Sequence, residues 1–124
     1  MIKLVFCLRR LPGLSREEFQ RYWREQHPPL VRAAAPALRI ENMGGLEGPP
    51  KPPVSFGAPR RSRGAPRLDG VAELWWESAE DLAAAGVTPE GRDAGRRLLE
   101  DERRFIDLAR STLTLGAEHV VVDR

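Results

Sequence analysis

The stretch 14–31, LSREEFQRYWREQHPPLV, constrains the chain more than any other, because both of its ends are written in the sequence. Ser15 is placed to cap a helix N-terminus, and Glu18 three residues on completes a capping box. Leu14 and Phe19 occupy the two positions of a hydrophobic staple, and Glu17 and Glu18 suit the positive end of a helix dipole. Phe19, Tyr22, Trp23 and then Gln26 or His27 follow three-to-four spacing, so they share one face. Pro28 and Pro29 lack an N–H, and a residue before proline avoids helical angles. The helix is therefore expected to end or kink at His27, with Leu30–Val31 and the alanines after them continuing as a short second segment.

Strands flank this helix. Residues 2–9 alternate, with Ile2, Leu4, Phe6 and Leu8 on an apolar face and Lys3, Val5, Cys7 and Arg9 on a mixed one. A second strand, weaker in alternation, is expected over 37–46, a third over 69–78 and a fourth over 118–123, EHVVVD. In the third, Ala72, Leu74 and Trp76 share one face and Val71, Glu73 and Trp75 the other. By parity Trp76 belongs to the core and Trp75 to the opposite side. Ser78, with Asp81 three residues on, caps a helix over 79–86. Thr88-Pro89-Glu90 opens another, which carries Leu98, Glu102 and Phe105 near one stripe. The order is β-α-β-β-α-β, a split βαβ, ferredoxin-like arrangement of α+β class with a four-stranded antiparallel sheet.

A chain of 124 residues is a single domain, 1–124, with an insertion at about 47–68 that holds six of the 11 prolines and five positive charges. Such a loop is usually functional or disordered. Its basic run RRSRGAPR lacks interleaved aromatics, since Phe56 stands alone, and a net charge of +2 is too small to argue for nucleic acid. One cysteine, Cys7, excludes an internal disulfide and suits a reducing cytoplasm. No apolar run approaches a membrane span, and the N-terminus is too charged for a signal peptide. His27 and His119 form no metal spacing, and phosphate loops, nucleophile elbows and nicotinamide fingerprints are absent, so neither metal nor cofactor is expected.

His27 is the candidate acid/base group; as a base it could take an acidic C–H or phenolic proton. The alternative is a capping histidine that bonds carbonyls left without donors by the two prolines. Tyr22 and Trp23 either line a pocket for a flat ligand or pack as core. Glu73 either pairs with Arg9 or Lys3 or takes part in acid/base work. Asp107 is placed to cap a turn, and Cys7 would need an activating base to act as a nucleophile.

Three strings in order, KLVFCLRRLPGLSREEFQRYWREQHPPLV, DGVAELWWESAEDL and DERRFIDLARS with EHVVV beyond it, resemble the EthD family, which belongs to the dimeric α+β barrel superfamily. The matching residues of the first are Phe19, Tyr22, Trp23, His27, Pro29, Leu30 and Val31, and Pro28 stands where the family often has alanine. The resemblance covers 1–46 and 69–124. It implies two helices on one sheet face and a homodimer formed through the sheets. Lys3, Val5, Cys7, Arg9, Val71, Glu73 and Trp75 would then face a barrel cavity or the partner. It further implies a small cytoplasmic enzyme, cofactor-independent, of oxidoreductase, dehydratase or isomerase type, acting on an apolar carbonyl- or phenol-bearing molecule. His27 would be catalytic, with Tyr22, Trp23, Trp75, Glu73 and Arg9 around the substrate. A non-catalytic binding dimer, and less so a haem-handling protein with His27 as ligand, are the competing readings.

Overall fold

The computed structural model describes residues 1–47 and 68–123. Apart from its end residues, the Pro/Arg-rich stretch expected at 47–68 lies outside the described residues. The order is β1 (Ile2–Leu8), α1 (Arg16–Glu25), α2 (His27–Leu38), β2 (Asn42–Glu47), β3 (Gly70–Trp76), α3 (Ala79–Ala85), α4 (Pro89–Glu102), a 3-10 turn (Leu108–Arg110) and β4 (Thr112–Ala117). The sheet order is β2-β3-β1-β4 and every pair is antiparallel, the ferredoxin-like arrangement.

The caps form as their residue types require. Ser15 Oγ accepts from the Glu18 amide at 3.1 Å, while Glu18 Oε1 accepts from the Ser15 amide at 3.1 Å. Thr88 Oγ1 accepts from the Gly91 amide at 3.0 Å, with Pro89 as the first residue of α4. At α3 only half of a box forms: Ser78 Oγ accepts from the Asp81 amide, but the Asp81 carboxylate turns to Arg39 at 2.9 Å.

The two prolines act differently from expectation. α1 stops at Glu25, and His27, Pro28 and Pro29 are the first turn of α2 rather than a terminus with a short continuation. The first N–H groups of a helix have no intrahelical acceptor, so prolines cost nothing there, and their fixed φ favours the start. α2 in turn runs to Leu38, which delays β2 to Asn42 instead of 37. Arg39 closes it in the left-handed region at φ 57°.

The fourth strand is also displaced. It is Thr112–Ala117, not 118–123. TLTLGA alternates, so Leu113 and Leu115 pair with Phe6 and Leu4 on the helix side. The Val120–Val122 run is exposed and His119 lies beyond the strand, also exposed.

Leu8, Phe19, Ala72, Phe105 and Ile106 form the core, and Phe19 and Phe105 are wholly buried. The Leu14–Phe19 staple packs against this cluster, which sets the angle at which the chain enters α1. Trp76 is buried and donates its Nε1–H to Leu38 O at 2.8 Å, as parity requires. On the other face Lys3 and Glu73 pair at 3.2 Å, and the Lys3 ammonium lies 4.8 Å above the Trp75 ring.

Candidate active site

The helical layer brings three polar side chains together under the core. Tyr22 lies in the last half of α1, His27 is the first residue of α2, and Asp101 sits one residue before the end of α4. Asp101 Oδ1 accepts from the Tyr22 hydroxyl at 2.5 Å, and Asp101 Oδ2 accepts from His27 Nδ1 at 2.7 Å. A carboxylate only accepts, so Nδ1 carries a proton, and in the neutral ring Nε2 is the nitrogen with the lone pair. Among the described residues Nε2 has no hydrogen-bond partner. Asp101 and His27 are buried to 3% and 5% exposure, and Phe105 packs on both aromatic rings, 4.9 Å from that of Tyr22 and 5.2 Å from that of His27. Burial, then the bond to Asp101, hold the Tyr22 hydroxyl above its ordinary pKa. His27 thus bonds a carboxylate through Nδ1 and not the carbonyls before the prolines, as a capping histidine would.

The imidazole stands where two spaces meet. An outer cleft of about 280 Å³ runs past Trp23, His27, Pro28, Arg32 and Gly44. An inner chamber of about 150 Å³, between the helices and the sheet, is walled by Leu4, Phe6, Leu74, Leu98 and Leu113. Trp23, His27, Val31 and Met43 border both. The chamber also holds Glu102, whose carboxyl is pushed up to about 7 by burial and then by the neighbouring Asp101 charge. At neutral pH a large share of this group is an un-ionised acid beside apolar side chains.

Trp23 owes its position to two missing side chains. A methyl at Gly45 would lie 2.8 Å from Trp23 Cζ2, and one at Gly70 would lie 2.9 Å from Cη2. Only glycine lets the indole lie against β2 and β3. Trp23 is therefore both a packed residue and a wall of the cleft.

The remaining expected residues are not in this site. Trp75 and Glu73 occupy the opposite sheet face, where Lys3 engages both. Leu74 and Trp76 are the β3 positions that face the helices, so Glu73 and Trp75 point away from His27 and the cavity expected to unite Trp75 with the imidazole does not form around it. Glu73 is the ion-pair partner of Lys3. Arg9 follows β1 and borders a separate polar pocket. Cys7 lies on the Trp75 side. Asp107 uses its backbone: its carbonyl accepts from the Ser111 hydroxyl at 2.7 Å. Sequence reasoning missed Asp101 and the role of Glu102. The one available signal was Glu102 itself, a carboxylate on the stripe of Leu98 and Phe105.

Among the described residues no group of three or more His, Cys, Asp or Glu is placed to hold a metal ion, and no helix is long and apolar enough to cross a membrane.

Comparison with known proteins points one way. A family model of the EthD domain matches residues 11–109. An EthD family protein from Bacillus halodurans C-125 superposes with a TM-score of 0.61 at 23% identity, over 96% of this chain and 99% of that one. An EthD-like protein from Ralstonia eutropha JMP134 gives 0.61 at 20% identity, over 99% and 94%. A dimeric ferredoxin-like protein of unknown function from Thermobifida fusca YX gives 0.52 at 14%, over 94% and 90%. No curated protein matches in sequence.

Proposed function

The chain belongs to the EthD domain family, and from that premise we propose that it is a homodimeric acid/base catalyst of isomerase or dehydratase type. Its substrate is an apolar carbonyl- or phenol-bearing organic molecule. The observation that carries this reading is the Tyr22–Asp101–His27 array, whose imidazole borders a space that also contains a protonatable Glu102. Asp101 orients the ring and offsets the charge it acquires; Tyr22 holds the second carboxylate oxygen. Nε2 takes the proton from the carbon beside a carbonyl, or from a phenol. The Glu102 carboxyl gives a proton to the carbonyl oxygen as the enol forms. As the enol O–H returns its proton to Glu102 and the carbonyl re-forms, delivery of the His27 proton to a different carbon isomerises the substrate, whereas its delivery to a departing β-hydroxyl releases water and dehydrates it. Trp23, Val31 and Met43 supply the apolar contact a flat ligand needs.

Dimerisation is part of the proposal. It is supported by dimeric relatives of the same fold and by the exposed apolar residues Leu46 and Val120–Val122.

Deuterium exchange tests the reaction. Aryl β-diketones in D2O should exchange their α-protons faster with the protein present, and His27→Gln should slow that step roughly 10²–10⁴-fold while staying folded. Exchange that is equally fast with folded His27→Gln rejects the base. Tight binding of the same compounds without any catalysed exchange would instead favour a binding protein, for which the apolar walls of the cleft suffice.

A further inference from the structure

At the end of the sheet where β1 leaves and β3 enters, Arg9, Arg10, Pro12, Arg16, Asp69 and Arg110 line an open pocket of about 390 Å³. It shares no lining residue with the His27 cleft or chamber. Its walls are fixed by the backbone. The Asp69 amide donates to Leu8 O at 2.9 Å, the Asp107 amide to Arg9 O at 2.8 Å, and the Arg9 amide to Ser111 Oγ at 3.0 Å.

The four arginines are not equivalent. Arg10 is committed to the fold: its Nη1 donates to the buried Asp69 at 2.6 Å and its Nε to Leu14 O at 3.1 Å. Asp69 is thereby neutralised. Arg9, Arg16 and Arg110 have no carboxylate partner among the described residues. Among the described residues, Arg16 Nε is the one side-chain nitrogen or oxygen wholly shut off from solvent that has no hydrogen-bond partner. Its Nη2, among the described residues, reaches only Leu68 O, at 3.5 Å. Residues 48–67 contain no Asp or Glu, so that segment has no side chain to neutralise the pocket. Gathering three unpaired guanidiniums costs electrostatic free energy, and an orphaned buried donor costs more. An oxyanion satisfies both, because guanidinium forks match carboxylate and phosphate oxygens.

We propose that this pocket binds a small dianion, a phosphate monoester or a dicarboxylate, held by Arg9, Arg16 and Arg110. The site is independent of the proton chemistry at His27.

Calorimetric titration of the full chain with inorganic phosphate and, separately, succinate tests this, with chloride used to hold ionic strength constant. Saturable binding of one anion per chain is expected, with a matching rise in melting temperature. Preference for phosphate identifies the phosphate-ester class, and preference for succinate the dicarboxylate class. The double variant Arg16→Gln/Arg110→Gln should lose at least tenfold in affinity while keeping the native circular dichroism. Arg21→Gln, on the exposed side of α1, should bind as the parent does. Absence of saturable binding by either anion overturns the site. So does affinity unchanged in the double variant, or binding confined to a DNA oligonucleotide and lost steeply with salt.

Discussion

His27 Nδ1 donates to Asp101 Oδ2 across 2.7 Å, so the residue that begins α2 is aimed by one at the far end of α4. The bond ties two helices as well as a ring. Asp101→Asn keeps the shape, but its amide can donate to Nδ1 and shift the proton to Nε2. Activity in the exchange assay should fall by about 10²-fold or more, because the wrong nitrogen then carries the lone pair. Asp101→Ala leaves the buried His27 Nδ1 unpaired and the Tyr22 hydroxyl with only Arg104 beside it, and should cost about 1–3 kcal/mol in denaturant unfolding. Unimpaired exchange by folded Asp101→Asn would exclude the orienting role.

Glu102 links stability to pH. Its folded pKa, about 7, lies above the ordinary 4.5, so the folded state holds the proton more tightly than the unfolded chain. The un-ionised group is fully tolerated below about pH 4.5. As pH rises towards and through 7, the fold must accept a buried charge beside Asp101, and up to about 3 kcal/mol of stability is lost. Glu102→Gln should abolish this difference: it should match the parent near pH 4.5 and exceed it in melting temperature at pH 8. Parallel curves for the two proteins from pH 4.5 to 8 would contradict the shift.

Gly70 and Gly45 hold Trp23 by default, since the space a methyl would fill is indole. Gly70→Ala should force the ring off β3 at a cost of about 1–3 kcal/mol. It should also change the emission of Trp23 and weaken ligands in the outer cleft. Gly116→Ala is the control, because a methyl there meets nothing within 4 Å and Gly116 borders neither the cleft nor the chamber.

What the sequence made legible, and what it did not, divides along local and non-local physics. The Ser15 box, the Leu14–Phe19 staple, the Thr88-Pro89 start and the opposed faces of Trp75 and Trp76 are all set within a few residues, and each could be read in advance. The proline pair was local too, but ambiguous: two prolines are as compatible with a helix start as with a stop, and only the packing of α2 on α4 decides. The fourth strand was misplaced because a valine run carries more β propensity than TLTLGA, yet pairing with β1 selects alternation. The Asp101 contact spans 74 residues of sequence, and no spacing rule reaches that far. Of the expected site, His27, Tyr22 and Trp23 share a helical layer that their own periodicity announces. Trp75, Glu73 and Arg9 required knowledge of which sheet face holds the cavity.

That separation gives a final test. Trp23 borders the cleft of His27, while Trp75 lies across the sheet, beneath Lys3 and within 3.4 Å of Glu118 through its Nε1. If the outer face meets a second copy, Trp75→Ala should weaken the dimer at least tenfold in sedimentation equilibrium, because buried aromatics dominate such interfaces. The exchange rate per folded chain should stay within about threefold, since the imidazole, Asp101 and the chamber are untouched. Trp23→Ala should do the reverse, leaving the dimer intact and lowering ligand affinity by roughly tenfold or more through lost apolar contact. Equal loss of ligand affinity in both variants, with the dimer unaffected, would return Trp75 to the substrate site and remove the outer face from the assembly.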